Sequence, residues 1–309
     1  MANPQDSQLR DRFGRPVNSL RISLTQRCNF NCFFCHREGE SNPKGEMTVE
    51  EIEAIVEASS SLGVKKVKLT GGEPLLRGDI ADIVERISPY VEEVSMTTNG
   101  SLLEEKAGEL KEAGLSRVNI SLHSRRRDVF KMITGQDLFK EVEEGIKAAI
   151  ESRLTPVKLN MVVVKSINSD EIPGMIDLSR RIRAILQLIE FQPIQGGKDW
   201  STLHYDLRSV EEELTRNSIK VYEREMNRRR RFLLKGGGEV EVVRPMHNSE
   251  FCRYCSRLRV TSDGRFKPCL MREDNLIEAV SLIRGGASMG ALINAIREAV
   301  SNREPYWRV

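Results

Sequence analysis

The sequence predicts an α/β protein whose main domain is an incomplete (β/α)6 TIM-type barrel. From residue 20 to about 192, six short apolar runs alternate with amphipathic patterns, in steps of about 25 to 40 residues. Such alternation predicts a parallel sheet with right-handed crossovers. The runs are apolar and β-branched throughout, which is typical of strands buried on both faces. An open sheet and a barrel both fit this pattern, and six steps fall short of the eight in a complete barrel.

The first three steps begin with the strand patterns "LRISLT" (20–25), "KKVKLT" (65–70) and "EEVSMTTNG". Between the first two, Thr48 and Glu51 predict a capping box at the start of a helix that ends near Gly63. "DIADIVERISPY" predicts the helix of the second step, and "LLEEKAGELKEAG" that of the third.

The last three steps contain the strand patterns "RVNISLH", "PVKLNMVVV" and "AILQLIEF", with "FKEVEEGIKAAIES" and "DEIPGMIDLSRRI" as the helices between them. Polar, chemically versatile segments follow several strands: a cysteine-rich stretch, "TGGEPL", "TTNG" and "SLHS". Because ligands bind at the carboxyl ends of parallel strands, these segments are expected to meet at one site.

The pattern changes after about residue 193, which divides the chain into an N-terminal extension (1–19), the barrel (20–192) and a small C-terminal appendage (193–309). We expect the appendage to cover one end of the barrel. It begins with a loop, "IQGGKDW", followed by a charged helix from Val210 to Met226 and a glycine turn with a strand in "LLKGGGEVEVVRP". Two short helices, at about 276–283 and 288–302, finish it.

Composition indicates a soluble globular protein and excludes several classes. Hydrophobic residues make up 39% and charged residues 30% of the 309 residues, and the net charge is +3. No apolar run approaches the roughly 18–20 residues of a membrane span, and the polar N-terminus lacks a signal-peptide core, so we expect a cytoplasmic protein without a membrane partner. The basic run "NRRRR" is typical of a solvated helix face, and no nucleic-acid partner is predicted.

The six cysteines form two triplets about 220 residues apart: Cys28, Cys32 and Cys35, then Cys252, Cys255 and Cys269. Clustered thiols in a long chain favour iron–sulfur or zinc binding over disulfides. A [4Fe–4S] cluster normally takes four thiolates, so three leave one iron with an open position. Zinc is the alternative for each triplet, completed by His36 or a distant residue in the first and by His247 in the second.

The spacing CxxxCxxC after the first strand of a six-step (β/α) pattern resembles the radical S-adenosylmethionine (SAM) superfamily. That resemblance implies a [4Fe–4S] cluster whose fourth iron is chelated by SAM, and reductive cleavage of SAM to a 5′-deoxyadenosyl radical. It also implies that Phe34, Gly72, Glu73 and Ser121 bind SAM. An ordinary strand-to-helix turn is the alternative for "GGEP", and Asn99 is as well explained by a turn as by a ligand contact.

The second triplet frames the segment "SRLRVTSDGRFKPCL", in which "SDGR" predicts a turn between two short strands. Arg257 and Arg259 alternate on one strand face. Two guanidinium groups beside a cluster could hold an anion by bidentate hydrogen bonds, and a surface salt-bridge strand is the alternative. The appendage is therefore expected to be an iron–sulfur module.

Taken together, "RFGRPVNSLRISLTQRCNFNCFFCHREG", "KLTGGEPLLR", "TTNG", "NISLHS" and "CxxCxRxRxTxDGxxxxCL" resemble the GTP 3′,8-cyclases of molybdenum cofactor biosynthesis, over about residues 8 to 275. The resemblance implies two [4Fe–4S] clusters, with the second near the guanine of GTP. It implies hydrogen abstraction from ribose C3′, attack on guanine C8 and the product 3′,8-cyclo-7,8-dihydro-GTP. The implied GTP contacts are Arg21, Lys68, Thr97, Lys158, Arg257, Leu258 and Arg259.

For two of these implied contacts, the local sequence pattern also indicates a ligand. Lys68 and Lys158 interrupt strands that are otherwise apolar, and lysine is rarely buried without a partner. A triphosphate could be that partner, and snorkelling at a sheet edge is the alternative for each lysine.

The chain departs from the family at two places. Many members have a C-terminal Gly-Gly tail and an arginine in strand six, whereas this chain ends "NREPYWRV" and has Gln187 at that strand position. The alternatives are a radical-SAM peptide-modifying enzyme and a non-catalytic zinc or iron–sulfur protein. The expected partners are GTP, an unidentified reductant and the synthase that makes cyclic pyranopterin monophosphate.

Overall fold

The computed structural model describes residues 9–41, 43–192 and 200–307. All six predicted barrel strands are present, and neighbours in chain order pair in parallel. They are β1 (Ser19–Ser23), β2 (Lys66–Thr70), β3 (Glu93–Thr98), β4 (Arg117–Ser121), β5 (Lys158–Val163) and β6 (Ile185–Glu190). The predicted α/β fold with an incomplete barrel is confirmed.

Helices cross over between these strands and pack against them. They are α1 (Val49–Ser61), α2 (Ile80–Ile87), α3 (Leu103–Glu112), α4 (Arg127–Thr134), α5 (Phe139–Glu151) and α6 (Ile172–Arg181). The sequence pattern predicts one helix between β4 and β5, and there are two. The short α4 was missed because it spans only eight residues; it ends at Gly135, which has φ 71°.

The capping box predicted at the start of α1 is confirmed. The Thr48 hydroxyl accepts a hydrogen bond from the Glu51 amide at 3.3 Å, and the Glu51 carboxylate accepts one from the Thr48 amide at 2.9 Å. Ile52, Ile55 and Val56 then recur on the face of α1 that is buried in the core. The local cap and the apolar spacing together position this helix on the barrel.

The C-terminal part adds strands to both edges of the sheet. These are β7 (Ser218–Glu223), β8 (Arg230–Leu234), β9 (Glu239–Val243), β10 (Arg257–Val260), β11 (Arg265–Lys267) and β12 (Ile277–Glu278). β9 pairs in parallel with β6, and β10 pairs in parallel with β1. The strand order is β12-β11-β10-β1-β2-β3-β4-β5-β6-β9-β8-β7. The expected appendage is thus continuous with the barrel sheet on both sides, and its boundary at residue 193 stays a prediction.

The prediction of one charged helix from Val210 to Met226 was wrong. The helix α8 covers only Arg208–Arg216, and β7 follows it. The segment "SIKVYE" is rich in β-branched and aromatic residues, which favour strands, and it pairs with β8 in an antiparallel hairpin. Tertiary pairing therefore overrides the helical charge pattern.

The remaining helices are α7 (Trp200–Leu203), α9 (Ser249–Arg253), α10 (Val280–Arg284) and α11 (Met289–Ser301). α11 lies close to the helix predicted at 288–302, whereas the range predicted as a helix at about 276–283 contains β12 and becomes helical only at Val280. Short 3-10 turns occur at Arg37–Gly39, Pro74–Leu76, Ser88–Tyr90, Ser169–Glu171 and Met226–Arg228. The predicted loop "IQGGKDW" lies outside the described residues except for its last one. Among the described residues, none of the helices has the length and apolar character of a membrane span.

The cap of α1 gives a stability prediction. Thr48→Ala removes the side-chain acceptor for the Glu51 amide, so it should lower the free energy of unfolding by about 1 kcal/mol. Thr48→Ser keeps a hydroxyl and should match the parent. Urea denaturation followed by circular dichroism measures both; equal midpoints for the parent and Thr48→Ala would contradict a stabilising cap.

Candidate functional site

A cavity of about 1200 Å³ opens among the barrel strands, and residues from both ends of the chain line it. All six cysteines are among the described residues that line the cavity. So are most of the predicted ligand contacts: Phe34, Gly72, Ser121, Arg21, Lys68, Thr97, Lys158, Arg257 and Arg259. The fold therefore brings two triplets that are far apart in sequence to one chamber.

The first triplet lies on the loop after β1. Cys28 and Cys35 are exposed, and Cys32 is half-buried. The Phe30 amide donates to Cys28 Sγ and the Arg37 amide donates to Cys35 Sγ, each at 3.4 Å. Burial and the proximity of the other two sulfurs raise the pKa of Cys32 to about 12. Three thiols this close repel one another when ionised, and coordination to positive iron would relieve that repulsion.

The donor set of both triplets fits iron–sulfur clusters. All six cysteines are free thiols. Among the described residues, no group of three or more His, Cys, Asp and Glu side chains is arranged to hold a single metal ion. The zinc alternatives with His36 or His247 therefore have no support from the geometry, whereas a four-iron cluster takes thiolates that are spread more widely.

The "GG" pair after β2 packs directly against the cysteine loop. A Cβ on Gly71, whose φ is 146°, would lie 2.4 Å from the Thr25 carbonyl oxygen, and one on Gly72 would lie 2.2 Å from that of Arg27. The Gly72 and Glu73 amides donate to those same two carbonyls at 2.7 and 2.8 Å. Side chains at these positions would push the loop away, so both glycines are needed to seat the first triplet.

Glu73 is fully buried and, unlike Gly72, is not among the described residues that line the cavity. Its carboxylate accepts hydrogen bonds from the Thr98 hydroxyl at 2.7 Å and from the Asn99 and Leu75 amides at 2.6 and 3.0 Å. Burial raises the pKa of Glu73 to about 7. The side chain joins the ends of β2 and β3, so its predicted role in SAM binding would act through these loops.

Asn99 forms a turn after β3, which is one of the two alternatives that the sequence left open for it; the other is a ligand contact. Its Oδ1 accepts from the Ser101 amide at 2.9 Å, and its Nδ2 donates to Asn29 Oδ1 at 2.8 Å. Asn29 lies on the first cysteine loop, and Asn99 also lines the cavity. The turn after β3 is thereby fastened to the first triplet.

Phe34 packs edge-on against His123, with ring centroids 4.9 Å apart. Burial lowers the pKa of His123 to about 4, so the ring is neutral near pH 7. His123 Nδ1 accepts a hydrogen bond from the Val162 amide at 3.2 Å. His123 was not predicted as a site residue, although its position after β4 in "SLHS" is the signal that could have found it. It supports the Phe34 ring, and both rings line the cavity, as does Ser121.

A buried carboxylate, Glu38, joins two of the predicted arginines. The register of the sheet places Arg21 of β1 beside Arg259 of β10 and Lys68 of β2. Glu38 accepts from Arg21 Nε at 3.0 Å and from Arg259 Nη1 at 2.7 Å. Burial opposes ionisation of Glu38, but the two guanidinium groups outweigh it and hold its pKa well below its usual range. Glu38 was not predicted as a site residue.

Two cations on the same wall face the cavity without a carboxylate partner among the described residues. Lys68 Nζ donates to Asn119 Oδ1 at 3.1 Å. Arg257 Nη2 contacts Met226 Sδ at 3.3 Å, and its buried Nε has no partner in the described part of the chain. Burial, together with neighbouring positive charges, lowers the pKa of Lys68, and burial followed by Arg259 and Arg21 lowers that of Arg257 to about 9. An anionic ligand would supply the missing charge.

Leu258 lies on the other face of β10. Its side chain is fully buried in the hydrophobic core, as strand alternation between Arg257 and Arg259 requires. Any ligand contact at Leu258 would therefore use its backbone.

A second part of the cavity wall is organised by Glu241 of β9, which is also fully buried. It accepts hydrogen bonds from Lys158 Nζ at 2.5 Å and from Gln187 Nε2 at 2.9 Å. Burial lowers the pKa of Lys158 to about 7 despite this partner. Two arginines of the β7–β8 hairpin share the same carboxylate. Sequence reasoning found Lys158 and Gln187 but missed Glu241, since no local pattern marks it.

The second triplet is held from behind by a network around Asp11. Arg15 Nη1 donates to the Cys252 carbonyl at 2.9 Å, and Arg303 donates to the Cys255 carbonyl. Asp11 pairs with Arg15 at 2.8 Å and with Arg303 at 3.2 Å, and all three side chains are buried. Segments more than 280 residues apart thus shape the loop that carries the second triplet.

Near the C-terminus, the Trp307 amide donates to Cys252 Sγ at 3.5 Å, and the Trp307 ring lies 4.2 Å from that of His247. Trp307 also lines the cavity. The segment at the end of the chain therefore contributes a wall beside the second triplet, and His247 packs on an aromatic ring.

Comparison with known families divides the chain into two matched regions. Residues 22–179 match the radical SAM superfamily, and residues 184–309 match the family described as Molybdenum Cofactor Synthesis C. A protein of Thermococcus kodakarensis named "Probable GTP 3′,8-cyclase" is 51% identical over 97% of this chain and 100% of its own length. Proteins of the same name from Pyrococcus abyssi and Methanocaldococcus jannaschii are 50% and 43% identical over 96% and 97% of this chain and 99% and 100% of theirs.

Solved structures with the same fold are more distant in sequence. Streptococcus suis SuiB bound to S-adenosylmethionine has a TM-score of 0.61 at 18% identity, with 83% of this chain and 60% of SuiB covered. The protein anSMEcpe with bound AdoMet has a TM-score of 0.64 at 18% identity, with 86% and 78% covered. These likenesses support the fold.

The guanidinium groups around Cys255 give a reactivity prediction. Burial opposes ionisation of this thiol, but Arg303, Arg257 and Arg15 outweigh it and lower its pKa to about 7. Burial instead raises the pKa of Cys252 and Cys269. In anaerobic, metal-free protein at pH 7, iodoacetamide should therefore alkylate Cys255 about tenfold or more faster than the other two, because the thiolate is the nucleophile.

Peptide mass spectrometry over time measures the three rates. The Cys255 rate should fall as the pH drops below 7, and Arg257→Gln should slow it by removing a nearby positive charge. Faster alkylation of Cys252 or Cys269 than of Cys255 would contradict the proposed electrostatic activation.

Proposed function

The chain belongs to the GTP 3′,8-cyclases of the radical SAM superfamily, and we propose that it converts GTP to 3′,8-cyclo-7,8-dihydro-GTP in the first step of molybdenum cofactor biosynthesis. The observation that carries the proposal is the shared cavity. Two cysteine triplets face one chamber of about 1200 Å³, and cations without carboxylate partners line its wall. A site for one anionic substrate between two clusters is what this reaction needs.

Each triplet would hold one [4Fe–4S] cluster, with SAM on the first. When bound, the first cluster and SAM supply the 5′-deoxyadenosyl radical that abstracts hydrogen from ribose C3′. Phe34 and Ser121 would contact SAM from the wall of the cavity, and Gly72 would do so from its backbone. Glu73 would act as a positioning residue, since its carboxylate holds the turns that surround the loop.

The substrate contacts would come from the cationic walls. Lys68 and Arg257 are the best-supported contacts, because burial and neighbouring positive charges lower the pKa of each, and a bound anion would offset both effects. Arg21 and Arg259 would share their guanidinium donors between Glu38 and the substrate. Thr97 of β3 and Lys158 of β5 lie on either side of Asn119 of β4, at the same height in the barrel. Multiple charge-assisted bonds to a triphosphate would fix the nucleotide in one orientation.

A fixed orientation inside the cavity would serve the chemistry directly. Holding the ribose near the source of the radical replaces an encounter in solution by an intramolecular step. The residues that line the cavity would also limit the access of water to the reactive carbon. The contribution of the protein is therefore placement and shielding.

The reaction also implies partners. An electron donor must reduce the first cluster, and we propose that the product passes to the synthase that makes cyclic pyranopterin monophosphate. These links rest on the family resemblance.

Turnover tests the function. Anaerobically reconstituted protein should contain about eight irons, as expected for two four-iron clusters. With dithionite, SAM and GTP it should release 5′-deoxyadenosine and a cyclised nucleotide, which mass spectrometry detects. If SAM is cleaved while GTP is recovered unchanged, the assigned substrate is wrong; stoichiometric zinc without iron would overturn the radical-SAM assignment itself.

Lys68 tests the substrate site. Lys68→Met removes a charge-assisted hydrogen bond, each worth about 1.5–3 kcal/mol, so it should weaken GTP binding roughly 10- to 100-fold in calorimetric titration. Iron content should be unchanged. Lys65→Met is the matched control, because Lys65 is exposed and pairs with Glu92 on the surface. Unchanged affinity in Lys68→Met would remove this lysine from the substrate site.

A further inference from the structure

We propose that Arg224 and Arg229, on the β7–β8 hairpin, bind the phosphate chain of the substrate and make the site select nucleotides by their charge. This inference rests on the proposed function. The sequence analysis assigned Arg229, in the run "NRRRR", to a solvated helix face, whereas its side chain is only 13% exposed and lines the cavity; Arg224 was not marked at all. The basis of the inference is the charge and hydrogen bonding around Glu241.

The hairpin reaches the cavity through the register of the sheet. Gln187 of β6 lies beside Glu241 of β9, and Glu241 lies beside Arg231 of β8. Arg224 follows β7 and Arg229 precedes β8, and their backbones are joined by a hydrogen bond of 2.9 Å. Both side chains line the same cavity as the cysteine triplets. The turn of the hairpin packs against the second cysteine loop, where the Asn227 amide donates to the Tyr254 carbonyl at 2.8 Å.

More positive than negative groups meet at Glu241. Its carboxylate accepts from Arg224 Nη1 at 3.1 Å and lies 2.8 Å from Arg229 Nη1. Lys158 Nζ lies 2.5 Å away on the same carboxylate. Two guanidinium groups alone outnumber one carboxylate, so this cluster is net positive in either charge state of Lys158. Gln187 adds a neutral hydrogen bond and leaves that excess unchanged.

Arg229 also has unused donor capacity. Its side chain is 13% exposed, and its buried Nε has no hydrogen-bond partner among the described residues. A buried donor without an acceptor is costly, and a guanidinium group presents Nε and Nη donors in a fork that suits two phosphate oxygens. Phosphate is the ligand chemistry that would satisfy both the free donor and the excess charge.

The two cationic walls face one space. Lys158 and Arg117 are among the positive groups that lower the pKa of Lys68. Arg117 is also among those that lower the pKa of Arg229. One polyanion could therefore lie between Lys68 and the hairpin arginines and reduce the repulsion among all of them. Each additional phosphate on the ligand would gain more from this field, which predicts selectivity for GTP over GDP.

A purely structural role is the competing explanation: the arginines would only neutralise Glu241. The two roles differ in what they do to ligands of different charge. A structural defect weakens guanosine and GTP alike, whereas loss of a phosphate contact weakens GTP and inorganic tripolyphosphate and spares guanosine.

The experiment compares Arg229→Gln and Arg224→Gln with Arg230→Gln in the SAM-loaded, reconstituted enzyme. Arg230 is the matched control because it is the next residue along the hairpin and the first of β8. Its guanidinium carbon lies 5.1 Å from the centre of the Phe232 ring, it donates to Thr215 at 3.2 Å, and it is not among the described residues that line the cavity. Calorimetry and competition against a fluorescent GTP analogue give the affinities for GTP, GDP, tripolyphosphate and guanosine. Iron content and melting temperature monitor the fold.

Arg229→Gln should weaken GTP and tripolyphosphate at least tenfold, GDP less, and guanosine within twofold of the parent; Arg230→Gln should match the parent throughout. Arg224→Gln, whose side chain is 35% exposed, should act in the same direction and serves if Arg229→Gln fails to fold. Equal losses for guanosine and GTP, or unchanged GTP affinity in both variants, would overturn the inference while leaving the proposed function intact. A parent enzyme that does not bind GTP would overturn both.

Discussion

Two buried carboxylates, Glu38 and Glu241, make it possible for this barrel to fold around a cationic interior. Each takes charge-assisted hydrogen bonds from cations on different elements: Glu38 from β1 and β10, Glu241 from β5 and the β7–β8 hairpin. Without them, the positive groups would repel one another in a medium that screens charge poorly. Removing one member of such a buried group typically costs about 3–5 kcal/mol, because the remaining charges lose their partner. The carboxylates therefore hold the walls at the spacing the cavity needs.

The same arrangement explains how the site can be folded and still ready for a ligand. The glutamates compensate part of the positive charge, and the remainder stays on groups such as Lys68 and Arg257 that have no carboxylate partner among the described residues. Parallel pairing places these side chains at matching heights on neighbouring strands. Under the proposed function these donors are positioned before the substrate arrives, which lowers the ordering cost of binding. The register of the sheet would then also set the positions of the substrate contacts.

Local patterns predicted the parts of this molecule that depend on local physics. The six strands follow from apolar runs, the start of α1 from Thr48 and Glu51, and the shared chamber from the rule that parallel strands end on one side. The helix assigned to 210–226 was wrong because its second half pairs with β8, a partner that periodicity cannot reveal. Glu38 and Glu241 were missed for a related reason: each is one charged residue whose partners lie up to 221 residues away in sequence. The edges of the sheet, where β9 and β10 dock, were equally out of reach.

The buried ion-pair network of Asp11, Arg15 and Arg303 beside the second triplet bears on how the protein folds during its synthesis. The first cysteine loop is fastened to the turns after β2 and β3 and to the end of α4, all within the first 135 residues. The second loop acquires its Arg303 contact only after residue 303 has been synthesised, well after β10 can pair with the edge of β1. Folding that proceeds from the N-terminus during synthesis would therefore order the first loop before the second. A chain interrupted before β10 would leave the edge of β1 exposed to aggregation, whereas one interrupted between β10 and residue 303 would lack the Arg303 contacts that hold the second loop.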